Sequence, residues 1–163
     1  YKRQVYDLPI YYEDTPGLPI GQVRAAARKL YTQTPFDLLL VDYLGLMVQS
    51  SRDVIAELGD IMKGLKNLAR ELNIPVLVAA QMNREIEKEN REPRLSDLRD
   101  SGHVEQDSDI VMFPFRPGAA TNKADAGIVE PCHLIVAKHR NGPTGKVDVG
   151  YYKPCARFVN TAA

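Results

Sequence analysis

The 163 residues carry 21 Lys and Arg against 21 Asp and Glu, with 44% hydrophobic and 26% charged residues. That balance excludes a disordered polyelectrolyte and a globally basic nucleic-acid coat, and it supplies enough apolar residues for a real core, one domain by length. No apolar run approaches the roughly 18 residues of a membrane span and no signal peptide is read at the start of the sequence; because the charges balance, any contact with nucleic acid is expected to be a local device.

Residues 4–12 carry Val5, Leu8, Ile10 and aromatics and read as an extended arm ending in a strand. Residues 13–17, Glu-Asp-Thr-Pro-Gly, form a loop by their turn chemistry. Over residues 19–31, Ile20, Val23, Ala27 and Leu30 fall on one helical face, and Thr34-Pro35 stops that helix. A continuous apolar run, residues 38–41, suits a strand buried on both faces of a parallel sheet. It ends at Asp42, and an ionised carboxylate at the edge of a dry strand needs a metal ion, a water network or a basic group. Four hydrophobic residues and then Asp is the form of a Walker B strand; the plain alternative is an acid that caps a turn.

The clearest helix covers residues 53–73, with Val54, Leu58, Ile61, Leu65, Leu68 and Leu72 spaced by four and three. Ser50 and Asp53 have the form of a capping box, and Asn73-Ile-Pro75 ends the helix. Gly59 and Gly64 within it each cost about 1 kcal/mol relative to Ala, so packing must supply the stability. Residues 76–80 are a second short apolar run and end at Gln81. Strand, helix and strand make a βαβ unit with a right-handed crossover, which places Asp42 and Gln81 at one carboxyl edge, where open α/β sheets bind ligands.

Residues 82–109 mix nine acids with Arg84, Lys88, Arg91, Arg94 and Arg99 and read mainly as a solvated helix followed by a loop. Ser96-Asp-Leu-Arg-Asp-Ser-Gly102 differs in kind. Its small residues and Gly102 let backbone amides approach a phosphate, and Arg99 adds a fork of donors. Residues 110–115 return to strand character, and residues 117–127 form a loop expected to be mobile. Residues 133–138, 147–151 and 156–159 alternate as a terminal antiparallel meander, with Asn141-Gly142 marking its first turn. Lys138, His139 and Arg140 sit at the mouth of that turn, either as surface charge or as cations held out toward a neighbouring subunit's phosphate. Cys132 and Cys155 are too few for a disulfide scaffold and fit a reduced cytoplasm. Cys132 and His133 would point to opposite faces of a strand and so not share an ion.

Together, these stretches resemble the C-terminal RecA-like motor domain of bacterial replicative DNA helicases, the DnaB family. The resemblance runs over nearly the whole length. It includes Ile10-Tyr-Tyr-Glu-Asp14, Leu39-Leu-Val-Asp-Tyr-Leu-Gly-Leu-Met47, Leu68-Ala-Arg-Glu-Leu-Asn-Ile-Pro-Val76 and Gln81-Met-Asn-Arg84. It continues through Ser96–Gly102, Glu105-Gln-Asp107 and Ala137-Lys-His-Arg-Asn-Gly-Pro-Thr-Gly145. It implies an α/β fold: a partial RecA-like sheet with crossover helices and a C-terminal antiparallel meander. It further implies a homo-hexamer that hydrolyses ATP with Mg²⁺ between subunits and pulls single-stranded DNA through its centre, in the cytoplasm at the replisome, with primase and a helicase loader as partners. Asp42 would hold Mg²⁺ through water, Gln81 would couple the γ-phosphate to the DNA loops, and Arg99, Asp100 and Gly102 would grip DNA phosphates. Lys138 and Arg140 would act in trans as arginine-finger-type cations.

Three departures matter. Asp100 stands where the family usually has Glu, and His139 where Gln is common. The 163 residues also hold no G-x-x-x-x-G-K-[ST] P-loop, nor the family's catalytic glutamate, which normally lies upstream of Tyr1. The expectation is therefore a C-terminal portion of a motor domain, inactive as an ATPase by itself and lacking an inner strand of its sheet. A catalytically inactive RecA-like DNA-binding or assembly module, and a recombinase-type ATPase, stand as alternatives.

Overall fold

The computed structural model describes residues 8–49, 52–83, 86, 89, 91–98, 102–117 and 129–161. Helix α1 (Ile20–Gln33) leads into strand β1 (Leu39–Val41) and a 3₁₀ turn (Leu44–Met47). Helix α2 (Val54–Leu72), strand β2 (Val76–Val78), a 3₁₀ turn (Leu95–Asp97) and short helix α3 (Gly102–Asp107) follow. Strands β3 (Ile110–Phe115), β4 (Val129–His139), β5 (Gly145–Tyr152) and β6 (Arg157–Asn160) complete the chain. Strands β1 and β2 pair in parallel, with Val41 opposite Val78, and form one sheet; β3 to β6 form a second, antiparallel sheet in sequence order. Ser50, residues 1–7 and residues 118–128 lie outside the described residues, and with them the start of the arm, half of the expected capping box and nearly all of the loop placed at 117–127. The described part of the arm, residues 8–12, pairs with no described strand, contrary to the expected strand ending.

The expected βαβ unit is present. Asp53 caps α2, its carboxylate accepting from the Ala56 N–H at 3.0 Å. Asn73 ends the helix in the left-handed region at φ 54°, its N–H returning to the Ala69 carbonyl. The apolar stripe of α2 forms the core: Leu58, Ile61, Met62, Leu65 and Leu68 are buried, and Leu44, Met47, Leu98, Val104 and Phe113 close over most of it. Both helix glycines are points of close approach. A Cβ on Gly64 would stand 2.4 Å from Ile20 Cγ1 on α1, and one on Gly59 would stand 2.9 Å from the His103 ring of α3. The cost in helix propensity is thus offset by packing two neighbouring helices against the backbone of α2.

One expectation is corrected. Val41, Val76 and Val78 pack toward the core, but Leu40 is 58% and Leu77 45% exposed. The strands are covered on one face, because the described helices that pack on β1 and β2 lie on that face alone. Beside β2, a cleft of about 1310 Å³ separates the two sheets, with Val76, Leu77 and Val78 along one wall and residues 110–115 along the other. No described strand joins them, as a sheet lacking an inner strand requires. Pro114 fits the position of β3 at the sheet margin, where its missing N–H removes no ladder bond.

Strand β4 is longer than the sequence pattern implies, because residues 129–132 continue the pairing with β5 beyond the last β3 partner at His133. Pro131 lies in that extension, facing no β3 residue, so its imide nitrogen is tolerated. A bulge leaves Ala137 unpaired against β3, since Val111 faces Lys138 and Met112 faces Val136. Cys132 is buried in the second sheet and burial pushes its thiol up. The adjacent His133 bonds Asp148 at 2.6 Å instead. No described helix is long and apolar enough to cross a membrane.

Candidate nucleotide and nucleic-acid site

The parallel pairing sets the first pair of candidates. Beyond the last strand pair, the Ala79 N–H donates to the Val41 carbonyl at 2.9 Å and the Leu44 N–H donates to the Ala79 carbonyl at 2.9 Å. The two chains therefore run side by side just past their carboxyl ends, which brings Asp42 and Gln81 to one edge. Both residues are exposed, and neither side chain has a hydrogen-bond or ion-pair partner among the described residues. The peptide between Asp42 and Tyr43 is cis. No group of three metal-ligating side chains occurs among the described residues. A lone unpartnered carboxylate fits Mg²⁺, which keeps most of its waters and takes one or two carboxylates together with phosphate oxygens.

The second pair lies elsewhere. The bulge at Ala137 re-aims the chain just before Lys138. Lys138 Nζ donates to the Glu105 and Gln106 carbonyls, and Arg140 Nη2 donates to the Gln106 carbonyl at 3.0 Å. Arg140 also pairs with Asp109 at 3.2 Å, and its own N–H donates to the Asp109 carbonyl at 2.8 Å. Lys66 reaches the same carboxylate, and this contact, more than any other, holds the Asp109 carboxyl below the usual range. Both cations thus cap the C-terminal carbonyls of α3 in this structure, a favourable place for positive charge. Among the described residues, no hydrogen bond or ion pair links them to Asp42 or Gln81.

Arg99 and Asp100 lie outside the described residues. Gly102 opens α3 in open surroundings, with nothing within 4 Å of where a Cβ would stand, so the chain's own packing does not demand a glycine there. The chain leading into this stretch is tightly held. Arg91 grips Asp97 with two nitrogens at 2.6 and 2.8 Å, and the Arg94 N–H donates to the same carboxylate at 2.7 Å. The Arg91 guanidinium holds the Asp97 carboxyl down to a pKa of about 2. The Asn83 N–H donates to the Asp97 carbonyl at 3.0 Å, and Met82 and Leu98 form an antiparallel bridge. By sequence alone Arg91 reads as a solvated charge. The segment has no helical period that would pair residues six apart, so only the S-D-L motif itself marks Asp97.

The chain matches the family model described as "DnaB-like helicase C terminal domain" over residues 1–160. It is 37% identical to a protein of Rickettsia bellii named "Replicative DNA helicase DnaB", over 94% of this chain and 35% of that protein. Two solved structures superpose with a TM-score of 0.78 and 30% identity over 90% of this chain. One is described as an ATPase domain, of which 52% is covered. The other, a DnaB-like replicative helicase studied with its primase, is covered over 36%. The chain spans about a third of the length of the curated relatives it matches. Its motifs, its α/β architecture and these matches agree: the chain belongs to the family of DnaB-like helicase C-terminal domains.

Proposed function

We propose that this chain is the C-terminal portion of the motor domain of a replicative DNA helicase, which hydrolyses ATP to translocate on single-stranded DNA and unwind duplex. The observation that carries this reading is the pairing of Asp42 and Gln81 at one carboxyl edge of a parallel βαβ unit in a chain of this family. Asp42 would hold Mg²⁺ through water, and the ion would supply charge neutralisation to the nucleotide phosphates when bound. Gln81 hydrogen-bonds toward the γ-phosphate and couples it to the DNA loops. Lys138 and Arg140 belong to the site of the next subunit in a homo-hexamer, where their charge stabilises the transition state. To reach it they must exchange the carbonyls of α3 for phosphate oxygens. Arg99, Asp100 and Gly102 grip the DNA backbone. Primase and a loader act on the assembled ring, in the cytoplasm.

The test uses the protein expressed from its intact gene. Single-strand-stimulated ATPase and fork unwinding are expected, and Asp42→Asn should lower kcat by about 10²–10³. An Asp42→Asn protein with undiminished turnover overturns the assignment of Asp42. Hydrolysis accompanied by strand pairing and no unwinding selects a recombinase-type ATPase, and DNA binding with no hydrolysis selects an inactive module.

A further inference from the structure

We propose that Asp109 is a positioning residue for Arg140, holding its guanidinium ready for the nucleotide of the neighbouring subunit. The inference rests on the reading of Arg140 as a cation offered in trans. It starts from the way Asp109, the residue before β3, holds both ends of Arg140. The Arg140 N–H donates to the Asp109 carbonyl at 2.8 Å, one step beyond the pairing of Ile110 with His139. The guanidinium turns back to the same residue, with Nη1 3.2 Å from the carboxylate Oδ1. The other carboxylate oxygen, Oδ2, accepts from Lys66 Nζ, and the Lys66 side chain is only 20% exposed. Asp109 thus ties the mouth of the β4–β5 turn, main chain and head group alike, to α2, the helix that forms the core.

Such an anchor suits a cation that must act on developing charge. An arginine held in place beforehand loses less freedom at the moment of reaction than one left to sample its rotamers on a turn. A guanidinium also has more N–H donors than Asp109 and the Gln106 carbonyl engage, so others stay available to a phosphate while the carboxylate keeps its hold. Nor does the carboxylate cancel the charge. Asp109 is shared among Lys66, Arg140 and Arg70, three cations to one acid, so positive charge remains for the nucleotide. The Asp109 and Arg140 side chains are both about half-exposed, and an ion pair so placed contributes little to stability, so its loss should leave the fold intact.

Subunit mixing separates this role from support of the subunit's own site. With the protein expressed from its intact gene, DNA-stimulated ATPase is measured for Asp109→Ala, Asp109→Asn, Arg140→Ala and Asp42→Asn, alone and mixed one to one after subunit exchange. Asp109→Ala should lower kcat by about tenfold to a hundredfold and leave KM for ATP within about twofold of wild type, since the held cation acts on the transition state. Asp109→Asn should lose less, because its amide oxygen still accepts from the guanidinium. Mixed with Asp42→Asn, Asp109→Ala should rise above the mean of the two parents, because some boundaries then join an intact Asp42 to a held Arg140. Mixed with Arg140→Ala it should stay at that mean, both defects lying on the same side of the boundary. A wild-type kcat, recovery with Arg140→Ala, or no recovery with Asp42→Asn overturns the proposal. Should Asp109→Ala fail to fold or assemble, Asp109→Asn takes its place in the same two mixtures, and the same outcomes decide. An Arg140→Ala protein with undiminished turnover instead rejects the reading of Arg140 in trans, so the two failures are distinct.

Discussion

Gly64→Ala puts the packing of α1 on α2 to a quantitative test. The new methyl would stand 2.4 Å from Ile20 Cγ1 and 3.0 Å from Cδ1, tighter than a Cβ tolerates. Either the Ile20 side chain or the whole of α1 must yield, an overpacking cost of about 1–3 kcal/mol. Against this, Ala gains about 1 kcal/mol over Gly inside a helix. The net effect is a loss of up to about 2 kcal/mol. Truncating the clashing partner reverses the sign. In an Ile20→Ala background the nearest remaining atom is Cβ at 3.8 Å, an ordinary contact, so the propensity gain stands alone. Gly64→Ala should then raise the melting temperature by about 2–4 °C for a chain of this size, whereas in the wild-type background it should lower it. Thermal unfolding followed by circular dichroism across the four proteins of the cycle gives the answer. A rise of equal size in both backgrounds would refute the close approach of α1 to α2.

Three further outcomes follow from the same geometry. The Asp97 carboxyl is depressed from 3.8 to about 2 chiefly by Arg91. Its ion pair therefore contributes full stability above about pH 4 and loses it as pH falls toward 2. The melting-temperature gap between wild type and Asp97→Asn should be flat above about pH 5 and shrink through that window; a gap constant down to about pH 2 contradicts the pairing. In β2 the alternation of a parallel ladder sends the Leu77 N–H to β1 and those of Val76 and Val78 toward the cleft. Residue-resolved hydrogen exchange on this chain should find Leu77 protected and its two neighbours fast, and uniform protection would contradict the free edge. The 163-residue chain, which holds no P-loop motif, should hydrolyse no ATP above buffer, as measured by phosphate release with an Arg140→Ala sample as control for contaminants.

The βαβ unit is legible because its signals are local: an apolar period of about 3.6, Asn73 and Pro75 as a stop, and two short runs that each end in a polar residue. Those signals bring Asp42 and Gln81 to one edge with no knowledge of the third dimension. What covers the other face of β1 is not a local matter, and the exposed Leu40 and Leu77 show how an apolar run can overstate burial. Asn141-Gly142 marks the turn correctly. The extra length of β4 is hidden by Pro131, which reads as a breaker unless the end of its neighbour is known. The partners of Lys138 are invisible for another reason: its acceptors are main-chain carbonyls, which leave no mark on residue identity, and Arg140 shares one of them while its carboxylate partner, Asp109, lies 31 residues away in sequence. A different blindness hides Asp97, whose grip on Arg91 spans six residues of irregular chain.

The central claim is that Asp42 and Arg140 serve one reaction from opposite sides of a subunit boundary. Subunit mixing tests it most directly. Asp42→Asn and Arg140→Ala proteins from the intact gene are each expected to be inactive as homo-hexamers. Mixed one to one and allowed to exchange, they should recover ATPase, because about a quarter of randomly assembled interfaces then join an intact Asp42 to an intact Arg140 of the neighbour. Mixed rings as inactive as either parent, with exchange verified by labelled subunits, would contradict the account.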